Sequence, residues 1–123
     1  MNYLLIGFLN VKGIDLSAWD QLNLSPIIMN GLKALRFDKP TPIQAKTLPF
    51  SLSGRDVVGA AETGSGKTLA FGIPILEFIF KEPVKDLENQ LVGLILTPTR
   101  ELAMQTRDHL QNISKGSLIK VRN

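Results

Sequence analysis

Residues 61–68 read Ala61-Glu62-Thr63-Gly64-Ser65-Gly66-Lys67-Thr68. The spacing from Ala61 to Thr68 matches a phosphate-binding loop, with alanine in the first position, where glycine is common. Gly64 and Gly66 can adopt backbone angles that are closed to other residues, so that successive N–H groups can turn toward phosphate oxygens. The stretch therefore predicts nucleotide binding. The alternative, a glycine-rich turn without a ligand, is disfavoured because a strand is predicted before the stretch and a helix after it.

The segments on either side of this loop predict an α/β fold. The apolar run within residues 56–60 and the run Leu91 to Thr97 have the length of buried strands. Leu69 to Phe80 predicts a helix with a kink at Pro74, and residues 81–90 predict a surface loop. A last helix is predicted from Pro98-Thr99 to Lys115-Gly116, with an apolar stripe at Leu102, Thr106, Leu110 and Ile113. This order indicates a parallel sheet flanked by helices.

Two helix starts are predicted before the loop. Ser25-Pro26 places an N-cap residue ahead of a proline in the first helical position, and the helix should run to about Leu35. Thr41-Pro42-Ile43-Gln44 repeats the signal as a capping box, with a helix that ends before Ser51. Residues 1–24 predict a short strand or an irregular leader.

Composition excludes several classes of protein. The chain has 123 residues, 44% hydrophobic and 20% charged, which is the balance of one globular domain. It has no cysteine, which excludes disulfide scaffolds, zinc fingers and cysteine nucleophiles. The single histidine, His109, argues against a histidine-based triad, and we expect it to be an exposed helix residue.

The positive charge is concentrated near residue 123. Up to Thr99, nine Lys and Arg balance nine Asp and Glu, whereas from Arg100 onward five basic residues face two acidic ones. Such a patch suits a polyanion, although taken on its own it is more often a solvated face. The apolar run Tyr3 to Leu9 is too short to cross a bilayer and lacks the flanks of a secretory signal, so an intracellular protein with no membrane partner is expected.

Three motifs occur in order along the chain. They are Phe37-Asp38-Lys39-Pro40-Thr41-Pro42-Ile43-Gln44 with Trp19 upstream, the loop at residues 61–68, and Pro98-Thr99-Arg100-Glu101-Leu102-Ala103. In order and spacing they resemble the Q motif, motif I and motif Ia of the DEAD-box ATP-dependent RNA helicases, over roughly residues 17–115. The sequence around Trp19 and the loop is most similar to the nucleolar subgroup that acts in large-ribosomal-subunit assembly. The resemblance implies a partial RecA-like sheet as the fold, and RNA and pre-ribosomal particles as partners in the nucleus or nucleolus.

The resemblance also implies the roles of the site residues. ATP would be held by Thr63, Gly64, Ser65, Gly66, Lys67 and Thr68, with Lys67 on the terminal phosphates and the Thr68 hydroxyl on Mg²⁺; Lys67 and Thr68 are the candidate catalytic residues. Gln44 would recognise adenine, Phe37 would stack on it, and Trp19 would support the pocket wall. Pro98, Thr99 and Arg100 would contact the RNA backbone without reading sequence. From the residues alone, Gln44 can serve as a helix cap, Trp19 as a core aromatic and Arg100 as half of an ion pair.

The resemblance is incomplete. Arg36 stands where the Q motif usually has glycine, and the sequence contains no Asp-Glu-Ala-Asp motif. We therefore expect a divergent leader at 1–16, a Q-motif helical region at 17–50 and a truncated RecA-like P-loop domain at 51–123. Such a portion would bind nucleotide without completing catalysis. Two alternatives remain open: a non-catalytic nucleotide- or RNA-binding truncation product, and a P-loop small-molecule kinase.

Overall fold

A computed structural model describes residues 18–82 and 90–123. In chain order it contains a short 3-10 helix, Trp19–Leu22, and the helices α1 (Pro26–Ala34), α2 (Pro42–Ser51), α3 (Lys67–Lys81) and α4 (Arg100–Ile113). The four predicted helices are confirmed, although α3 starts two residues before Leu69 and α2 includes Ser51. The predicted leader at 1–16 and most of the predicted loop at 81–90 lie outside the described residues.

Proline occupies the first position of both α1 and α2, as predicted. The capping box of α2 is present: Gln44 Oε1 accepts a hydrogen bond of 2.9 Å from the Thr41 backbone N–H. The reciprocal contact of the Thr41 hydroxyl falls short of a full hydrogen bond. The prediction that the Ser25 hydroxyl caps α1 is wrong, because that hydroxyl donates to Glu77 Oε2 over 2.9 Å instead.

Glu77 is a buried carboxylate that fixes the start of α1 against α3. Its Oε1 accepts from the Ser25 N–H at 2.6 Å, and its Oε2 lies 3.2 Å from Lys81 Nζ. A buried carboxylate is costly unless it is paired and hydrogen-bonded, and Glu77 has both kinds of partner. This contact could not be predicted from local sequence signals, because Ser25 and Glu77 are 52 residues apart.

The core lies between the helices and combines residues from both sides of position 51. It is formed by Trp19, Ile28, Leu32, Leu48, Leu69, Ile73, Leu76, Leu110 and Ile113. Two glycines let helices approach closely at this core. A Cβ at Gly31 of α1 would lie 2.1 Å from the Ile113 carbonyl oxygen of α4, and one at Gly72 of α3 would lie 2.2 Å from Leu110 Cδ2. At Gly31 the neighbour is backbone, so a larger residue would push α1 and α4 apart, whereas at Gly72 the Leu110 side chain would have to shift.

The predicted parallel sheet is not confirmed within residues 18–82 and 90–123. Both segments predicted as buried strands lack strand pairing there, and several of their apolar side chains are exposed: Val58 is 63% exposed, Leu94 70% and Leu96 85%, whereas Val92 and Ile95 are partly buried. A strand requires a neighbour for its N–H and C=O groups, and these two segments do not pair with each other or with any other described segment. Residues 90–99 and 118–123 instead border an open groove of about 820 Å³ against α3 and α4.

The turn after α1 carries a strained residue at Arg36. Its φ is +58°, in the left-handed region that favours glycine. Backbone hydrogen bonds from Arg36 N to Lys33 O (3.0 Å) and from Phe37 N to Leu32 O (2.9 Å) close the helix end, which is the bonding pattern of a Schellman cap. The departure from glycine seen in the sequence therefore leaves this cap intact, and the cap determines where Phe37 leaves the helix.

Candidate functional site

The phosphate loop lies immediately before α3. Gly64 and Gly66 have φ values of +80° and +90°, and Gly66 is the N-cap of the 15-residue helix that Lys67 and Thr68 begin. Glu62, Thr63 and Gly64 are exposed, and Ser65 donates its N–H to Glu62 O over 3.2 Å. The first N–H groups and the positive end of the helix dipole at this position are suited to an anion.

The side chain of Lys67 reaches back across the phosphate loop. Its Nζ donates to the carbonyl oxygen of Ala61, at the other end of the loop. The ammonium group of Lys67 therefore lies over the loop backbone, where a triphosphate is expected to bind. Thr68 follows in the first turn of α3 and is half-buried.

Gln44 joins the Q motif to the phosphate loop. Its side chain is buried, and its Nε2 donates to Gly66 O at 3.0 Å while Oε1 caps α2. A Cβ on Gly66 would lie 2.5 Å from this Nε2 and 2.7 Å from Thr41 Oγ1, so only glycine allows this contact. The capping role considered from the sequence is therefore present. The amide keeps one further N–H and further lone pairs for a base.

Trp19 and Phe37 are brought together, as the predicted pocket requires. Trp19 is 5% exposed, and its indole N–H donates to Phe37 O at 2.7 Å. It is thus both a core residue and a support for the backbone at Phe37. The Phe37 side chain remains 38% exposed, which leaves ring surface free for a planar ligand.

The prediction that His109 is an exposed helix residue is wrong. Its ring contacts Phe37, with centroids 5.8 Å apart and planes inclined at 55°. Burial lowers the pKa of His109 below its ordinary value, because a charged imidazole is disfavoured away from water. The sequence did hold a signal for this position: His109 is three residues after Thr106 and four before Ile113, next to the apolar stripe of α4.

Thr99 and Arg100 form the start of α4. Thr99 Oγ1 accepts from the Leu102 N–H at 3.2 Å, so this hydroxyl caps the helix. Pro98 and Arg100 are exposed, and Arg100 forms no ion pair with any residue that the structure describes. Within the described part of the chain, no hydrogen bond or ring contact joins these three residues to the phosphate loop or to Gln44. They line the groove between α3 and α4 instead.

Residues 18–82 and 90–123 contain no group of three or more His, Asp or Glu side chains arranged to hold a metal ion. The Thr68 hydroxyl is one oxygen donor at the start of α3. No helix in these segments has the length and apolar character needed to span a membrane.

Comparison with known proteins places these features in a family. Residues 41–123 match the DEAD/DEAH box helicase family model. The chain is 50% identical to the ATP-dependent RNA helicase MAK5 of Debaryomyces hansenii over 107 residues, covering 83% of this chain and 14% of that protein. It is also 50% identical to mak-5 of Neurospora crassa over 108 residues, covering 84% and 13%. The chain thus spans about one seventh of these relatives.

Solved helicase structures share its fold. The RNA helicase Prp28 from Chaetomium thermophilum, bound to ADP, matches with a TM-score of 0.71 and 36% identity, covering 79% of this chain and 24% of that one. A Dbp5 variant from S. cerevisiae, bound to RNA and ADP BeF3, matches with a TM-score of 0.67 and 32% identity, covering 84% and 26%. The family match, the relatives and these structures agree: the chain belongs to the DEAD/DEAH box helicase family.

Proposed function

We propose that this chain is the ATP-binding portion of a DEAD-box RNA helicase, which couples ATP binding and hydrolysis to RNA duplex remodelling. The observation that carries the proposal is the hydrogen bond between Gln44 Nε2 and Gly66 O. It joins a side chain suited to recognise a base to the backbone of a loop suited to bind phosphates. A phosphate loop alone occurs in many nucleotide-binding proteins. Here the loop is joined to Gln44, so the loop would bind the phosphates and Gln44 the base of one adenine nucleotide.

At the phosphate end, each group has a distinct task. Backbone N–H groups between Thr63 and Thr68 bind phosphate oxygens, and Lys67 neutralises the terminal phosphates. The Thr68 hydroxyl is a hard oxygen donor in the first turn of α3, which fits Mg²⁺, a cation that prefers oxygen ligands and keeps several waters. When bound, the ion would neutralise charge on the phosphates.

At the base end, Gln44 offers its remaining amide N–H and carbonyl lone pairs to adenine. Adenine presents a ring-nitrogen acceptor beside an amino donor, whereas guanine presents two acceptors at the same edge. An amide that donates and accepts at once therefore matches adenine and mismatches guanine. Phe37 supplies a partly exposed aromatic side chain for stacking, and Trp19 fixes its backbone through the bond to the Phe37 carbonyl oxygen.

The start of α4 is the proposed RNA contact. Arg100 is exposed and unpaired among the described residues, and Thr99 and Pro98 flank it at a helix N-terminus. These groups suit phosphate rather than base edges, which favours binding without sequence preference. The sequence around Trp19 and the phosphate loop resembles the nucleolar subgroup of the family, which favours an assignment to ribosome assembly in the nucleolus, with pre-ribosomal particles as the proposed partner.

The domain bounds and the parallel sheet are likewise proposed. We place a Q-motif helical region at 17–50 and a partial RecA-like domain at 51–123, in which residues 56–60 and 91–97 would be strands of a parallel sheet. The helicase neighbours support this assignment.

The chain alone is expected to bind ATP without turning it over. Its sequence has no Asp-Glu-Ala-Asp motif, and its described residues have no acidic cluster near Thr68 to align metal and water, the groups that lower the barrier in phosphoryl transfer. Phosphate release should therefore stay at the level of a Lys67→Ala control, with and without RNA, while labelled ATP is retained in equilibrium dialysis. RNA-stimulated release above that control would contradict the proposal for this chain.

Gln44→Ala tests the base end. We expect discrimination of ATP over GTP to fall by about tenfold, because one well-placed bidentate contact contributes about 1–3 kcal/mol. Helix α2 loses one capping bond at the same time, so circular dichroism must be recorded in parallel. Thr41→Ala is the control: it changes the N-cap residue of α2 and leaves both the Gln44 amide and its bond to the backbone N–H of residue 41, so selectivity for ATP should be unchanged. If selectivity survives while helix content falls, Gln44 serves only as a cap.

A further inference from the structure

Two different elements hold Phe37. The indole of Trp19 donates to its carbonyl oxygen at 2.7 Å, which fixes the backbone. The imidazole of His109, on α4, meets its ring at a centroid distance of 5.8 Å and an angle of 55°. Tilted aromatic pairs at this separation are attractive. The ring of Phe37 thus has one partly covered side and, being 38% exposed, a free surface.

Among the described residues, no hydrogen bond to the buried Nε2 explains the position of His109. Its Nε2 is buried and makes no hydrogen bond with any described residue. Burying a polar nitrogen without a partner is unfavourable, so the ring is not placed there by hydrogen bonding. A neutral imidazole tolerates this position better than a charged one, in keeping with the lowered pKa of His109. The contact that the structure shows for the His109 ring is the one with the Phe37 ring.

We propose that His109 is a positioning residue for adenine recognition, and that its ring holds Phe37 in the orientation in which the exposed face of Phe37 stacks on the base. This rests on the proposed nucleotide-binding function. His109 does not touch the nucleotide and acts only through Phe37. Phe37 lies in a connection between α1 and α2, where a side chain without a lateral contact would sample several rotamers. Restricting those rotamers before binding lowers the entropic cost of stacking.

The test separates the aromatic contact from simple packing. His109→Phe keeps an aromatic ring, whereas His109→Leu fills the space with an apolar side chain that has no ring. Each is titrated with ATP, and with inorganic tripolyphosphate, which probes the phosphate loop alone. We expect His109→Leu to weaken ATP binding about three- to tenfold, the range of one aromatic pair. His109→Phe should stay within about twofold of the wild type, and tripolyphosphate binding should be unchanged in both.

A double-mutant cycle completes the test. In a Phe37→Ala background, His109→Leu should have no further effect on ATP affinity, because the group through which it acts is gone. Thermal melting follows the fold of each variant, and His109→Gln is a second non-aromatic replacement. If His109→Leu and His109→Gln both fail to fold while His109→Phe folds, the residue has a structural role and the inference is overturned.

Other outcomes separate this inference from the function on which it rests. Unchanged ATP affinity in folded His109→Leu, an equal loss in the Phe37→Ala background, or a parallel loss of tripolyphosphate binding overturns the role of His109 alone. If the wild type binds neither ATP nor tripolyphosphate more tightly than Lys67→Ala, the proposed nucleotide site fails, and the inference fails with it.

Discussion

Gly31→Ala is expected to destabilise the fold by about 3 kcal/mol, the upper part of the range for overpacked cores. The new Cβ would lie 2.1 Å from the Ile113 carbonyl oxygen and 2.8 Å from its carbon. These are backbone atoms of α4, so no rotamer change relieves the clash, and α1 and α4 must move apart. Helix propensity acts in the opposite direction, since alanine in a helix is favoured over glycine by about 1 kcal/mol. The net loss is a large share of the 5–15 kcal/mol typical of a domain.

Urea denaturation of Gly31→Ala and Asn30→Ala measures this effect. Asn30 is the preceding residue of α1 and is exposed, so its replacement tests the helix without touching the interface. Asn30→Ala should leave the midpoint unchanged or raise it slightly. A midpoint for Gly31→Ala equal to that of Asn30→Ala would show that α1 and α4 do not pack as closely as described.

The sequence predicted those parts of the fold and site that depend on local signals. Proline after Ser25 and Thr41 marked two helix starts, and Gly66-Lys67-Thr68 marked the start of α3. Each of these depends on residues within one helical turn, where capping and backbone freedom act. Three of the four residues in the predicted apolar stripe of α4 are buried, namely Thr106, Leu110 and Ile113, whereas Leu102 in the first turn is 40% exposed.

Features that depend on distant partners were missed. The carboxylate of Glu77 binds Ser25 from another helix, and His109 meets Phe37 across 72 positions of chain. A Glu or a His on a helix does not by its residue type predict a distant partner, because most such side chains are at least partly exposed to solvent. The two predicted strands are not confirmed for a related reason: Val57, Val58 and the apolar residues of 91–96 have side chains suited to burial, but a strand exists only beside another strand.

Lys67→Ala is expected to weaken ATP binding by at least an order of magnitude, about 1.4 kcal/mol. Lys67 is the one basic residue within residues 61–68. Its ammonium group lies over the loop, where it donates to Ala61 O. Charge-assisted hydrogen bonds to phosphate are roughly twice as strong as neutral ones. Alanine is a good helix former, so the start of α3 should persist, and the loss should appear in binding rather than in stability.

Calorimetric titration of ATP into the wild-type chain, Lys67→Ala and Lys46→Ala tests the central claim most directly. Lys46 is an exposed lysine on α2, so its replacement removes the same charge at a place away from the loop. The account predicts that Lys46→Ala binds ATP as the wild type does and that Lys67→Ala binds at least tenfold more weakly. Equal ATP affinity in all three proteins would contradict a phosphate site at residues 61–68.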